Sequence, residues 1–187
     1  MNVSTPQVSA IAGENPPLPT TSQRLLEILE DLDIAYDLYH HQPVFTVAEA
    51  EGIKDHIPGL DCRNLFLRDK KEQMFLVCAA NETMLDMKKL PAVLGCERLS
   101  FGSAERLWRI LGVRPGSVCP FAIINDKDKA VTIVLDDTMM RADGVNFHPL
   151  ENDKSVVVAP ADLVKFIRWT GHEPVILDLG PAAPDKV

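Results

Sequence analysis

Two apolar runs, Asn64-Leu65-Phe66-Leu67 and Met74-Phe75-Leu76-Val77-Cys78-Ala79-Ala80, flank the charged stretch Arg68-Asp69-Lys70-Lys71-Glu72-Gln73. No other feature limits the fold as strongly. The pattern is that of two strands joined by a hairpin, which must therefore be antiparallel. A second pair of the same type is predicted where Phe121-Ala122-Ile123-Ile124 and Val131-Thr132-Ile133-Val134-Leu135 flank Asn125-Asp126-Lys127-Asp128-Lys129. Short strands are also expected over 35–39, 145–147, 155–158 and 175–179.

Helices are interspersed among these strands. Thr20 and Gln23 fit a capping box opening a helix that carries Leu25, Leu26, Leu29 and Leu32 at helical spacing. Thr46 and Glu49 fit a second one, opening a short helix closed by Gly52. A helical stretch over 86–94 stops at Gly95, Ser103 caps 104–111 ahead of Gly112, and Pro160 opens a helix ended by Gly171. The fold class that results is α/β of an α+β-like kind: a mixed, largely antiparallel sheet surrounded by helices. Residues 1–19, with Pro16, Pro17 and Pro19, read as an N-terminal tail, 20–180 as a single domain and 181–187 as a C-terminal tail.

Charge narrows the function. The 187 residues carry 19 Lys and Arg against 27 Asp and Glu, a net charge of −8, so a general basic coat for nucleic acid is excluded. No run is long and apolar enough for a membrane span and the N-terminus lacks the pattern of a signal peptide, so the expected location is the cytoplasm. All of the net charge falls in residues 1–62, with ten acids and two bases. Residues 63–114 instead hold ten bases and six acids, enough for a local basic face. A DNA-binding role has no helix-turn-helix or basic recognition helix behind it.

Common catalytic signatures are missing: there is no G-x-S-x-G, Walker A, G-x-G-x-x-G or H-E-x-x-H. Cys62, Cys78, Cys96 and Cys119 are far apart, and neither they nor the five histidines build a metal site. Any activity is expected to need no metal and no cofactor. Asp136-Asp137 before Thr138 reads as helix capping. Three places carry more than a fold needs. Cys62-Arg63-Asn64 sets a fork-shaped cation beside an amide donor. Gly116-Ser117-Val118-Cys119-Pro120 leaves backbone N–H groups to face a ligand oxygen. The stretch from Gly144 to Asn152 holds Phe147 and His148 before Pro149. Taken singly, each also reads as a turn or a structural residue.

Taken together and in this order, these blocks, with Gln42-Pro43-Val44-Phe45-Thr46 and Asn64-Leu65-Phe66-Leu67-Arg68-Asp69, resemble the YbaK/prolyl-tRNA-synthetase-associated family of editing domains. The resemblance spans about residues 20–179 and is closest to its free-standing branch, which deacylates Ala-tRNA(Pro). It implies a fold of that family and a trans-editing deacylase. Because alanine is smaller than proline, a synthetase pocket cannot exclude it sterically, and a missing methylene is worth only about 1–3 kcal/mol of discrimination, so a second sieve is needed. Water, oriented with help from the tRNA's 2′-hydroxyl, is the implied nucleophile, and the loop at Gly116 supplies donors to the developing oxyanion.

By the same resemblance, Arg63 stands where the family has a lysine. It keeps the charge but cannot pass a proton at useful pH, so Arg63 is assigned to binding and transition-state charge, Asn64 to hydrogen-bond donation, Gly116 to the oxyanion loop and His148 to the pocket wall. Thr46, Ser117, Val118, Cys119, Pro120 and Phe147 are the implied substrate-binding residues. The implied partners are the 3′ end of tRNA(Pro) and, for docking, prolyl-tRNA synthetase or an elongation factor. The alternative is a non-catalytic tRNA-binding or adaptor module of the same fold; a third reading is a small-molecule esterase.

Overall fold

The hairpin is where the sequence places it. In the computed structural model, which describes residues 16–43 and 56–181, β2 (Leu60–Arg68) pairs antiparallel with β3 (Met74–Ala80) in a register from Cys62↔Ala80 to Arg68↔Met74. Asp69 organises the turn. Its Oδ1 accepts from the amides of Lys71 (2.8 Å) and Gln73 (3.0 Å), and its Oδ2 from that of Glu97 (3.3 Å). Burial raises the Asp69 pKa, but these three amides outweigh it and hold the carboxyl below the ordinary range. A depressed folded value means stability present above the unfolded pKa and lost as pH falls through the folded one. Asp69→Asn is therefore expected to lower Tm at neutral pH, with the gap to the parent closing below about pH 4. Equal gaps across that range, measured by thermal unfolding, contradict the assignment.

Around the hairpin the order is α1 (Ser22–Asp31), β1 (Tyr36–His40), β2, β3, α2 (Leu90–Leu94), β4 (Ser100–Phe101), α3 (Ala104–Leu111), a 3-10 helix (Pro120–Asn125), β5 (Val131–Asp136), α4 (Asp137–Met140), β6 (Val145–Phe147), β7 (Lys154–Val158), α5 (Pro160–Trp169) and β8 (Val175–Leu177). The eight strands form one mixed sheet ordered β1-β7-β6-β2-β3-β5-β8, with β4 also on β2. Four of its pairings are antiparallel (β1–β7, β6–β7, β2–β3 and β2–β4) and three are parallel (β2–β6, β3–β5 and β5–β8). One face carries the main core, built with α1, α3, the 3-10 helix and α5. The other carries a smaller cluster with Leu90 of α2, Leu179 and the segment near Leu85.

Two expectations need correction. Phe121–Ile124 is not a strand and makes no hairpin with β5. It is a 3-10 helix with Pro120 at its first position and Phe121, Ala122 and Ile123 fully buried. An apolar run this short carries no period that separates strand from helix, and Pro120 cannot donate to a ladder. β5 pairs instead in parallel with β3 and β8. The cap of α1 is Thr21, whose side chain accepts from the Arg24 amide at 3.2 Å. Thr20 donates to Asn125 Oδ1 at 2.7 Å, tying the helix start to the 3-10 segment. The other caps agree: Ser103 accepts from the Arg106 amide, and Gly95 and Gly112 end their helices with positive φ. The capping box at Thr46 and Glu49 lies outside the described residues. Upstream of α1, Leu18 packs on the main core and Arg114 donates to the Pro16 carbonyl at 2.5 Å.

Candidate functional site

The parallel strands β2 and β6 pair only at Leu60↔Val145 and Asp61↔Asn146. Beyond that point β2 follows β3 and β6 follows β7, so the sheet splits. Arg63 and Asn64 lie on one side of the split, Phe147 and His148 on the other. A crevice opened by diverging strands, with peptide groups and side chains at its edge, is a common place for a ligand in an open sheet.

Successive strand residues point to opposite faces. Asn64 lies between Cys62 and Phe66, which pack in the main core, and opposite Cys78. Arg63 shares the other face with Leu65 and Leu67, so the cation and the amide bracket the strand edge from its two sides rather than sitting side by side. Arg63 Nη2 donates to the Thr83 carbonyl. Among the described residues, the buried side-chain polar atoms without a hydrogen-bond partner are Arg63 Nε and Asn64 Oδ1. Leaving such an atom unsatisfied costs about 1–3 kcal/mol, and two on adjacent residues at a crevice mark a place built for something else to bind. On Asn64 the buried, unpartnered atom is the amide oxygen, an acceptor.

The loop Gly116–Pro120 begins as a turn in which the Ser117 amide donates to the Arg114 carbonyl at 3.0 Å. Pro115 and Gly116 are its central residues, and Gly116 has φ +90°, the value a type II turn requires there. The Ser117 amide is thus committed, whereas those of Val118 and Cys119 donate to no acceptor among the described residues. Cys119 and Pro120 are buried, so this loop offers backbone more than side chains. Burial pushes the Cys119 thiol up to about 11, against a smaller lowering by the amides of Leu150, Ala122 and Phe121. Cys78 is also raised by burial, with smaller contributions from Cys62 and Cys119, and it packs in the same core cluster as Cys119 while pairing across the hairpin with Asn64. A buried thiol at this value is no nucleophile. Cys119→Ala is expected to keep kcat within about threefold of the parent; a loss of hundreds-fold contradicts this.

On the other wall, His148 Nδ1 lies 2.8 Å from the Lys154 carbonyl, a contact that sets the proton on Nδ1 and the lone pair on Nε2 when the ring is neutral. Its ring sits 5.8 Å from that of His41. Phe147 is buried and meets Phe121 edge-on at 6.2 Å. A cavity of about 260 Å³ is lined by Pro43, Arg114, Ser117, Leu150 and Asn152, among others. It joins three of the sequence blocks but neither Arg63 nor Asn64, which stand at the split. Thr46 lies outside the described residues. Among those residues no group of three or more His, Cys, Asp or Glu side chains is placed to hold a metal ion, and no helix is long and apolar enough to cross a membrane.

Residues 41–166 match the family model for the aminoacyl-tRNA editing domain, a span that takes in both walls of the split and the loop between them. The chain belongs to the aminoacyl-tRNA editing domain family. This editing domain is 36% identical over 151 residues to the prolyl-tRNA editing protein ProX of Acetoanaerobium sticklandii, covering 80% of the present chain and 92% of that protein. It is also 36% identical over 157 residues to prolyl-tRNA synthetase associated domain-containing protein 1 of Danio rerio, covering 83% and 85%. A solved structure described as a candidate trans-editing enzyme for prolyl tRNA synthetase superposes with a TM-score of 0.65 at 18% identity, over 86% of this chain and 97% of the other, and shares the fold. The editing domain also ties Arg63 to Thr83 and, through it, to Asp136, which are 20 and 73 positions away. No local pattern links them.

Proposed function

We infer that the protein is an aminoacyl-tRNA deacylase acting in trans on mischarged tRNA(Pro), with Ala-tRNA(Pro) as its main substrate. The observation that carries this reading is the pair of buried, unpartnered atoms on Arg63 and Asn64 at the split of an editing-domain sheet, in a chain 36% identical to a prolyl-tRNA editing protein along nearly all of its length. The aminoacyl ester lies in the split. Asn64 Oδ1 accepts from the α-ammonium of alanine, and Arg63 Nε donates toward the terminal phosphate or the ester oxygen. Water attacks the ester carbonyl, the amides of Val118 and Cys119 receive the oxyanion, and the carbon–oxygen bond to the ribose breaks, with the water's proton ending on the ribose oxygen. Free alanine and tRNA with an intact 3′ end leave. The reaction is metal-independent, so treatment with a chelator leaves the rate unchanged.

The basic face also has a place. A groove of about 280 Å³ is lined by Arg68, Lys70, Arg98 and Ser100, with Asp69 and Leu99, five residues along β2 from Arg63, or about 17 Å. Arg68 and Arg106 share Glu72, and Lys71 pairs with Glu97, while Lys70 and Arg98 have no ion pair among the described residues. We assign this groove to a few phosphates of the tRNA acceptor end. Log(kcat/KM) is then expected to fall with log salt at a slope of roughly −2 to −3, as for about three phosphate contacts; a slope near −8 contradicts a site of this size.

Single-turnover assays with tRNA(Pro) charged with Ala, Cys, Ser or Pro test the function directly. Fast release of alanine with proline spared supports it. Binding without release identifies the adaptor alternative, and equal turnover of simple aminoacyl esters identifies the esterase. The same proteins, mixed with prolyl-tRNA synthetase, test docking by co-sedimentation.

A further inference from the structure

We propose that Asp136 and Thr83 are positioning residues of the deacylase, which together hold the Arg63 guanidinium at the split; the proposal rests on the role of Arg63 given above. Asp136 is fully buried, and its carboxylate accepts three hydrogen bonds. One, from the Thr138 amide to Oδ1 at 3.2 Å, is the helix cap expected of it. The others fall on Oδ2, from the Ala80 amide at 3.2 Å and from the Thr83 hydroxyl. A helix cap needs neither of these.

The sheet register explains the arrangement. Arg63 faces Ala79, and Cys78 faces Leu135, so Arg63, Ala79 and Asp136 form one row across β2, β3 and β5. The guanidinium stem and the carboxylate start roughly 10 Å apart, two strand spacings, with a single methyl group between them. Thr83, itself 1% exposed, bridges them. Its hydroxyl is held by Asp136 and its carbonyl accepts Arg63 Nη2. The turn is covered by the C-terminal segment, where the Met84 amide donates to the Pro181 carbonyl at 2.8 Å.

The consequence is pre-organisation. Arginine has many rotamers, and anchoring Nη2 before substrate arrives leaves Nε unpartnered in a set direction. Asp136 touches no reacting atom and acts only through Thr83 and Arg63. Thr83→Val keeps the shape and removes the hydroxyl donor, Thr83→Ser restores it, and Asp136→Asn removes one of the two acceptor oxygens.

The readouts are single-turnover deacylation of Ala-tRNA(Pro), KM, thermal unfolding, and the ¹H–¹⁵N resonance of Arg63 Nε, assigned by its disappearance in Arg63→Lys. Thr83→Val is expected to lower the rate constant about 10- to 100-fold with KM within about threefold, as for loss of a transition-state contact. It is also expected to move the Nε resonance, and Thr83→Ser to recover both. If Thr83→Val does not fold, Asp136→Asn is read in the same way. A parental rate in a variant whose Nε resonance has moved overturns the proposal but leaves the role of Arg63 standing. A lowered rate with an unmoved resonance also overturns it, as a purely structural effect. A moved resonance in a background where Arg63→Ala hydrolyses at the parental rate overturns the role of Arg63, and the proposal with it.

Discussion

Arg63→Ala is expected to reduce deacylation of Ala-tRNA(Pro) by about 10²–10³-fold while the protein stays folded, and Arg63→Lys, which restores the charge but not the anchored Nε, to recover only part of that loss. The size follows from removing one pre-organised donor in a water-poor site, about 2.7–4 kcal/mol. Stability is little affected for a specific reason. The Thr83 carbonyl that loses Arg63 Nη2 still accepts from the Leu85 amide at 3.0 Å, so no buried acceptor is orphaned. Truncation also removes the unpartnered Nε. Lysine supplies a positive charge at the same strand position but a single ammonium in place of the fork, so its deficit should show in turnover as well as in phosphate-dependent binding. Measurement of kcat and KM with thermal unfolding separates the two effects. An Arg63→Ala enzyme at the parental rate removes Arg63 from the site.

The largest loss of stability is expected from Phe121→Ala. Phe121 is fully buried and meets Phe147 at 6.2 Å and Phe166 at 5.3 Å, both edge-on, so one ring links the 3-10 helix, β6 and α5. Replacing a buried Phe by Ala costs about 3–5 kcal/mol, or roughly 6–20 °C of Tm for a domain of this size. Activity should fall beyond the unfolded fraction, because Phe121 lies two residues after Cys119, close along the chain to the Val118–Cys119 amides, and backs Phe147 at the wall of the split. Phe121→Leu keeps much of the volume and should lose far less of both. Far-UV circular dichroism melts and single-turnover rates at a temperature well below both transitions check this; a Tm within a degree or two of the parent contradicts the central place given to Phe121.

The local pattern carried a good share of this molecule. The β2–β3 hairpin, the caps at Ser103, Gly95 and Gly112, and the helix opened by Pro160 follow from short-range chemistry: charge between apolar runs, a hydroxyl before a helix, a glycine after it. The Phe121–Ile124 run had no such signature, and its form is set by Pro120 and by burial on every side. Charge behaved similarly. The excess of bases over 63–114 was countable, but which of them face solvent unpaired depends on Glu72 and Glu97, which hold Arg68, Arg106 and Lys71.

For the site, residue types were legible and their relations were not. The expectation that Arg63, Asn64, the Gly116–Pro120 loop and His148 serve one site rests on their order in a family pattern, and membership of that family is shown by the match over 41–166. Their geometry depends on where β2 leaves β6, after Asp61↔Asn146, a divergence set by which neighbours each strand finds. The bridge from Asp136 through Thr83 to Arg63 depends on a row of three strands in register, residues that lie far apart along the chain. By itself the sequence determined the segments, their ends and the chemistry they carry, because those are decided by neighbours within a few residues. Only the tertiary structure decided which polar atoms were left buried without a partner and which carboxylate steadies the cation, because burial and pairing are properties of contacts across the sheet.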